Sequence, residues 1–146
     1  MSSMRAKGGR LAFAYRRSRR ADADLAEAAA LARELDTRLA VVVPFVLPSE
    51  SGGCCGLRGP KWTQLVREAV DDEARHARSV LGQTAVEFSV TVAEGGSLPE
   101  IVAGFAAEGD GVLALPSSAS GTLFTRGALR QTERLAMRPV RHLPAA

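Results

Sequence analysis

Lysine is nearly missing from this chain. Only Lys7 and Lys61 occur, so almost all of the positive charge is arginine. Arginine favours planar, bidentate contacts with carboxylate or phosphate. Cysteine is as scarce: Cys54 and Cys55 are the only two, and they are adjacent. A disulfide between neighbours is strained, which excludes a secreted disulfide scaffold. There is no CxxC pair, and His76 and His142 are the only histidines, so a closed zinc site lacks ligands. Long apolar runs are absent too. None approaches the roughly 20 residues of a membrane span. The basic N-terminus leads only into Leu11 to Tyr15, too short a core for a signal peptide, and the expected location is the cytoplasm. Aromatics make up 5% of the residues, so a core must be built on Ala, Val and Leu.

What is present suits one domain. The chain has 146 residues and a net charge of +3. Residues 1–9 read as a polar tail and 10–146 as a single domain. Arg10 to Tyr15 is a short buried-strand run. Leu25, Ala28, Ala29, Ala32 and Leu35 recur at helical spacing, with Asp22 as the expected cap. Leu39 to Val43 and Phe45 to Leu47 form a second apolar strand, in which Pro44 marks a bulge or the strand's end. Pro48 to Pro60 is a long loop with four glycines. Trp62 to Leu81 traces an amphipathic helix closed by Gly82. Val86 to Val92 alternates as a half-buried edge strand. Gly95-Gly96 turns, and Ser97-Leu-Pro-Glu100 is a capping box for the helix carrying Ile101, Val102, Phe105 and Ala106. Val112 to Leu115 is a fully apolar, central strand. Gly127 to Met137 is helical, with Leu129, Thr132 and Leu135 or Ala136 inward. Pro139 to Leu143 is a weak last strand.

Strand and helix alternate throughout, which means a doubly wound α/β fold with a parallel five-stranded sheet. Right-handed crossovers and two covered faces run strands one to three outward, then return the fourth to the other side of the first. A crevice opens at that switch point. Two loops meet there. Tyr15 to Ala21 brings Arg16, Arg17, Ser18, Arg19 and Arg20. Pro116 to Gly127 brings Ser117, Ser118, Ser120, Gly121 and Thr122, with a helix N-terminus behind them. Backbone N–H groups, hydroxyls and guanidiniums converging on one crevice suit an anion.

From Arg10 to Pro144 the chain resembles the universal stress protein family. The resemblance rests on Val92-Ala-Glu-Gly95 leading to Ile101-Val-Ala-Gly-Phe-Ala106, on Asp110-Gly-Val-Leu-Ala-Leu115, and on a closing Gly-helix-Pro-Val strand. It implies strand order 3-2-1-4-5, a flavodoxin-like layout shared with adenine nucleotide alpha hydrolases. It also implies a homodimer through the last strand and, in some members, ATP. The family's ATP pattern is an Asp ending the first strand and a Gly-x2-Gly-x9-Gly-Ser/Thr loop after the fourth. Here the Asp position falls on Tyr15 or Arg16. Pro116 and Ala119 stand where the first two glycines belong. Gly127 matches the last Gly, and Ala128 replaces the hydroxyl residue that would reach phosphate. The motif is degenerate.

The nucleotide- or anion-binding candidates are therefore Tyr15, Arg16, Arg17, Val43, Ser117, Ser118, Ser120, Gly121, Thr122, Gly127 and Ala128. Cys54 and Cys55, flanked by glycines, are the redox candidates. Trp62 reads as a core or dimer-interface anchor, His76 as a surface residue, and Asp71-Asp72-Glu73 as a solvated face. Arg126, Arg130, Arg134 and Arg138 recur every four residues, as a solvated, charge-paired helix face would. Neither histidine has an orienting partner in the sequence, and no catalytic or metal set assembles. The expected protein is a binding or regulatory one that does not hold ATP in the usual way, with no nucleic-acid or membrane partner. The alternatives are an anion or adenine nucleotide such as ATP in the crevice, and a thiol redox sensor through Cys54 and Cys55.

Overall fold

The computed structural model describes residues 9–47, 60–119 and 122–144. Its elements in order are β1 (Gly9–Ala14), α1 (Arg19–Glu34), β2 (Arg38–Val46), α2 (Pro60–Leu81), β3 (Phe88–Gly95), α3 (Leu98–Ala107), β4 (Asp110–Leu115), α4 (Arg126–Leu135) and β5 (Val140–His142). All strand pairs are parallel, in the order β3-β2-β1-β4-β5. That is the doubly wound arrangement the alternation predicts.

Side-chain alternation along the strands splits the core in two. Leu11, Phe13 and Tyr15 from β1 and its end, with Leu39, Val41, Val43 and Phe45 from β2, pack against α1 and α2. Ala12, Ala14, Ala40, Val42, Leu113 and Leu115 face α3 and α4. The second face is lined by alanines on β1, so its helices meet a smoother sheet surface. No helix among the described residues is long and apolar enough to cross a membrane.

Several local expectations change. Ser18, not Asp22, caps α1: its side chain accepts from Ala21 N. Asp22 lies a residue past the N3 position that a cap serves, too deep in the helix for that bond. Pro44 neither bulges nor ends its strand; it pairs with Ala93 in the middle of the register. The reason lies on β1. Tyr15 N donates to Val42 O at 2.9 Å, so residues 42 and 44 turn the same edge toward β1. By Pro44, β1 has run out. With no N–H at Pro44 to reach the Tyr15 carbonyl, the β1–β2 ladder stops there while β2 continues against β3, and the Pro44 carbonyl accepts the Arg16 guanidinium, Nη2 at 2.9 Å. β3 starts at Phe88, two residues later than the alternation suggests, and β4 starts at Asp110, two residues earlier. α4 is capped by Thr125 and stops at Leu135, which is 41% exposed, so Thr132 and Leu129 carry its inner face without it. The Ser97 cap of α3 is as expected.

Candidate functional site

β1 and β4 end side by side, and the loops that follow them meet above the gap. Two hydroxyls of the loop after β4, those of Ser117 and Thr122, are engaged within the protein. Ser117 Oγ donates to Leu143 O, tying the loop to the end of β5. Thr122 Oγ1 lies 3.2 Å from both Ala119 O and Phe124 O, and accepts from Phe124 N at 3.2 Å. That turn drives the Phe124 ring inward, where it is 3% exposed beside Leu129. Thr125 then caps α4 by accepting from Ala128 N at 3.1 Å. The cavity left between Phe13, Arg16, Asp24, Thr122 and Phe124 is about 10 Å³. A single water needs about that much, whereas small-molecule sites occupy roughly 300–1,000 Å³. Among the described residues, side chains nearly fill this cavity, while an open concavity of about 520 Å³ lies on the outer side of the loop, lined by Ser117, Ser118, Ala119, Arg126 and Arg130.

After β1, Arg16 is engaged through its side chain and Arg17 through its backbone. Arg16 binds the Pro44 carbonyl, and its Nε lies 3.7 Å from Glu73 Oε1 on α2. Glu73 Oε2 accepts the Arg17 backbone N–H at 3.0 Å. Beside them a polar cluster sits at the edge of an apolar layer, with Tyr15 buried and Asp22 and His76 half-buried. Tyr15 is fully buried, and its hydroxyl donates to Asp22 Oδ1 at 2.5 Å. Asp22 Oδ2 lies 3.2 Å from His76 Nε2, and the His76 ring stacks beside Tyr15 with centroids 6.4 Å apart. Burial first, then the hydrogen bond to Asp22, push the Tyr15 hydroxyl above the ordinary phenol range. It stays a protonated donor, and the cluster ties β1 to α1 and α2.

Asp24 is a second carboxylate in this region. It is 4% exposed, lines the filled cavity, and has one ion pair, to Arg20 Nε at 3.5 Å. Desolvation raises its pKa against the opposing pull of Arg20. A raised folded-state pKa means the unfolded chain ionises first. The contribution of Asp24 to stability is thus complete below the ordinary carboxylate value of about 4 and is lost as pH rises through the folded-state value. Asp24→Asn removes that loss. It should be more stable than the parent at pH 7, and the gap should close toward pH 4. Urea unfolding at several pH values tests this; a variant less stable at pH 7 would mean that the Arg20 pair outweighs desolvation.

No protein-family model matches the chain, and no curated protein sequence matches it significantly. Solved structures do. A universal stress protein family member from Burkholderia pseudomallei superposes with a TM-score of 0.71 at 18% identity, covering 94% of this chain and 97% of its own. The universal stress protein from Archaeoglobus fulgidus gives 0.66 at 21% identity, covering 93% and 98%. The same description in complex with dAMP gives 0.63 at 18% identity, covering 95% and 99%. The fold is that of the universal stress proteins.

In the universal stress protein frame, the described residues among the expected ligand positions have definite environments. Tyr15 is sealed in the core, and Val43 lies fully buried on the α1/α2 face. Arg16, Arg17, Ser117 and Thr122 make the contacts given above. Ser118 is exposed, and Gly127 and Ala128 form the second and third positions of α4. Ser120 and Gly121 fall outside the described residues, as do Cys54 and Cys55. His76 is half-buried rather than fully exposed, and it has an orienting partner, Asp22. His142 also has one: its Nε2 lies 3.5 Å from Glu133. Glu73 is not part of a solvated face, although Asp72 is, pairing with Arg75. Of the arginine stripe, only Arg138 has an acidic partner among the described residues, Asp110 at 3.6 Å; Arg126, Arg130 and Arg134 stand exposed without one. Asp22, Asp24, Glu73 and Phe124 are the residues that sequence reasoning missed. Asp24 left a trace: with Ala21 and Ala28 it sits at i, i+3 and i+7, a carboxylate on the buried stripe.

Proposed function

We propose that this is a binding or regulatory protein of the universal stress protein type whose β1/β4 crevice does not take ATP in the usual way. One observation carries the reading: side chains, Phe124 among them, leave about 10 Å³ in the cavity between the ends of β1 and β4. The degenerate loop agrees, since Pro116 and Ala119 replace glycines and the hydroxyls of Ser117 and Thr122 are spent internally. We further propose a homodimer through β5, which has β4 as its one neighbour in the sheet and leaves its other edge to a partner strand. No catalytic step is assigned.

The dAMP bound by the Archaeoglobus fulgidus structure makes adenine nucleotides the ligands to test. Thermal unfolding in the presence of dAMP, and of ATP with magnesium, is the experiment. A ligand at a hundred times its Kd would add about 2.7 kcal/mol to stability. The expected midpoint is unchanged at millimolar ligand. A rise of several degrees would replace this reading with that of an adenine nucleotide-binding stress protein.

A further inference from the structure

Outside the crevice, a second concavity runs along α2. It is an open surface concavity of about 570 Å³, far larger than the cavity between the ends of β1 and β4. Its floor is apolar: Leu65, Val66, Ala69 and Val70. Leu65 is 64% exposed and adjoins the partly exposed Val66 and Ala69, which gives the groove a continuous apolar floor. At one end stand Arg16, Arg17 and Glu73. Their charges do not balance. Glu73 is committed to Arg16 through Oε1 and to the Arg17 backbone through Oε2. Asp72, on the rim, is paired with Arg75 at 2.9 Å. Among the described residues, no carboxylate pairs with the Arg17 guanidinium. The bond from its own backbone N–H to Glu73 nevertheless fixes where Arg17 stands.

We infer that this groove binds an amphipathic carboxylate, a molecule with an extended apolar body and one acidic head, such as a medium-chain fatty acid. The apolar floor takes the chain, and the Arg17 fork takes the carboxylate in a bidentate contact. From Leu65 to Glu73 the helix advances about 12 Å, enough to lay out a chain of that class. The groove is lined by Arg16 and Arg17, of which only Arg16 also lines the small cavity between the ends of β1 and β4, and its proposed ligand does not depend on a nucleotide there.

The protein supplies a reporter. Trp62 is its only tryptophan and lies one turn before Leu65 and Val66 on α2. Decanoate, kept below its micelle concentration, is titrated into the full chain while tryptophan emission is followed. The expected result is a saturable change, with binding weakened at least tenfold by Arg17→Ala and again by Leu65→Asp. Decyltrimethylammonium has the same chain and the opposite charge, and it should bind at least tenfold more weakly than decanoate. Both substitutions are at exposed positions, and unchanged thermal midpoints verify that the variants fold. The inference is overturned if decanoate gives no saturable signal, if the cationic amphiphile binds as well, or if Arg17→Ala binds as the parent does.

Discussion

Gly111→Ala should cost about 3–5 kcal/mol and lower the unfolding midpoint by more than about 10 °C. Gly111 sits in β4 opposite Arg10 of β1, with φ at +138°, a conformation that L side chains rarely adopt. A Cβ there would lie 1.9 Å from the Arg10 carbonyl oxygen and 2.8 Å from its backbone nitrogen. Both contacts are to backbone, so no side-chain rotation relieves them. Either β1 and β4 separate where they pair, or the residue changes conformation and the ladder breaks. Gly127→Ala is the control. An added Cβ at Gly127 meets nothing within 4 Å, and the position is helical, so alanine should stabilise by up to about 1 kcal/mol. Urea unfolding of both variants is the measurement. A loss below about 1 kcal/mol for Gly111→Ala would contradict the strand geometry.

Phe124→Ala should cost about 3–5 kcal/mol, the usual range for a buried phenylalanine. The ring is 3% exposed and packs in the cluster that joins Ala12, Ala14, Leu113 and Leu115 of the sheet to Leu129 of α4. It has a second role, since it fills the switch-point crevice. Truncation leaves a cavity at the spot where this fold offers a ligand site. Phe124→Leu keeps most of the volume and should cost less than about 1.5 kcal/mol. If alanine and leucine behave alike, with losses below about 1 kcal/mol, then Phe124 is not the plug described here.

The two face clusters show how much of the fold the sequence carries. Leu11 to Tyr15, Leu39 to Phe45 and Val112 to Leu115 are short apolar runs bounded by charges, prolines or glycines, and each became a parallel strand. Leu25, Ala28, Ala29 and Ala32 kept their spacing as a buried stripe. Strand order follows from alternation and handedness, and with it the meeting of the two crevice loops. Pro44 was harder. Its place inside a strand depends on lying at the last rung of the β1 ladder while β3 still pairs on the other side, which is a property of the sheet. The site was legible as a location only. Whether a crevice is open depends on where one ring points, and the inward turn of Phe124 is set by hydrogen bonds of Thr122 over two or three residues. The Tyr15–Asp22–His76 cluster escaped for a related reason. His76 stands 54 residues beyond Asp22, and only the packing of α1 against α2 brings them together.

The central claim is that the universal stress protein crevice is occupied by the protein's own side chains. Equilibrium dialysis of the purified chain against labelled ATP, with magnesium at pH 7, tests it most directly. The account predicts no bound nucleotide at millimolar concentration, and none released when the purified protein is denatured. One nucleotide per chain, held at micromolar concentration and weakened by Arg16→Ala, would contradict it.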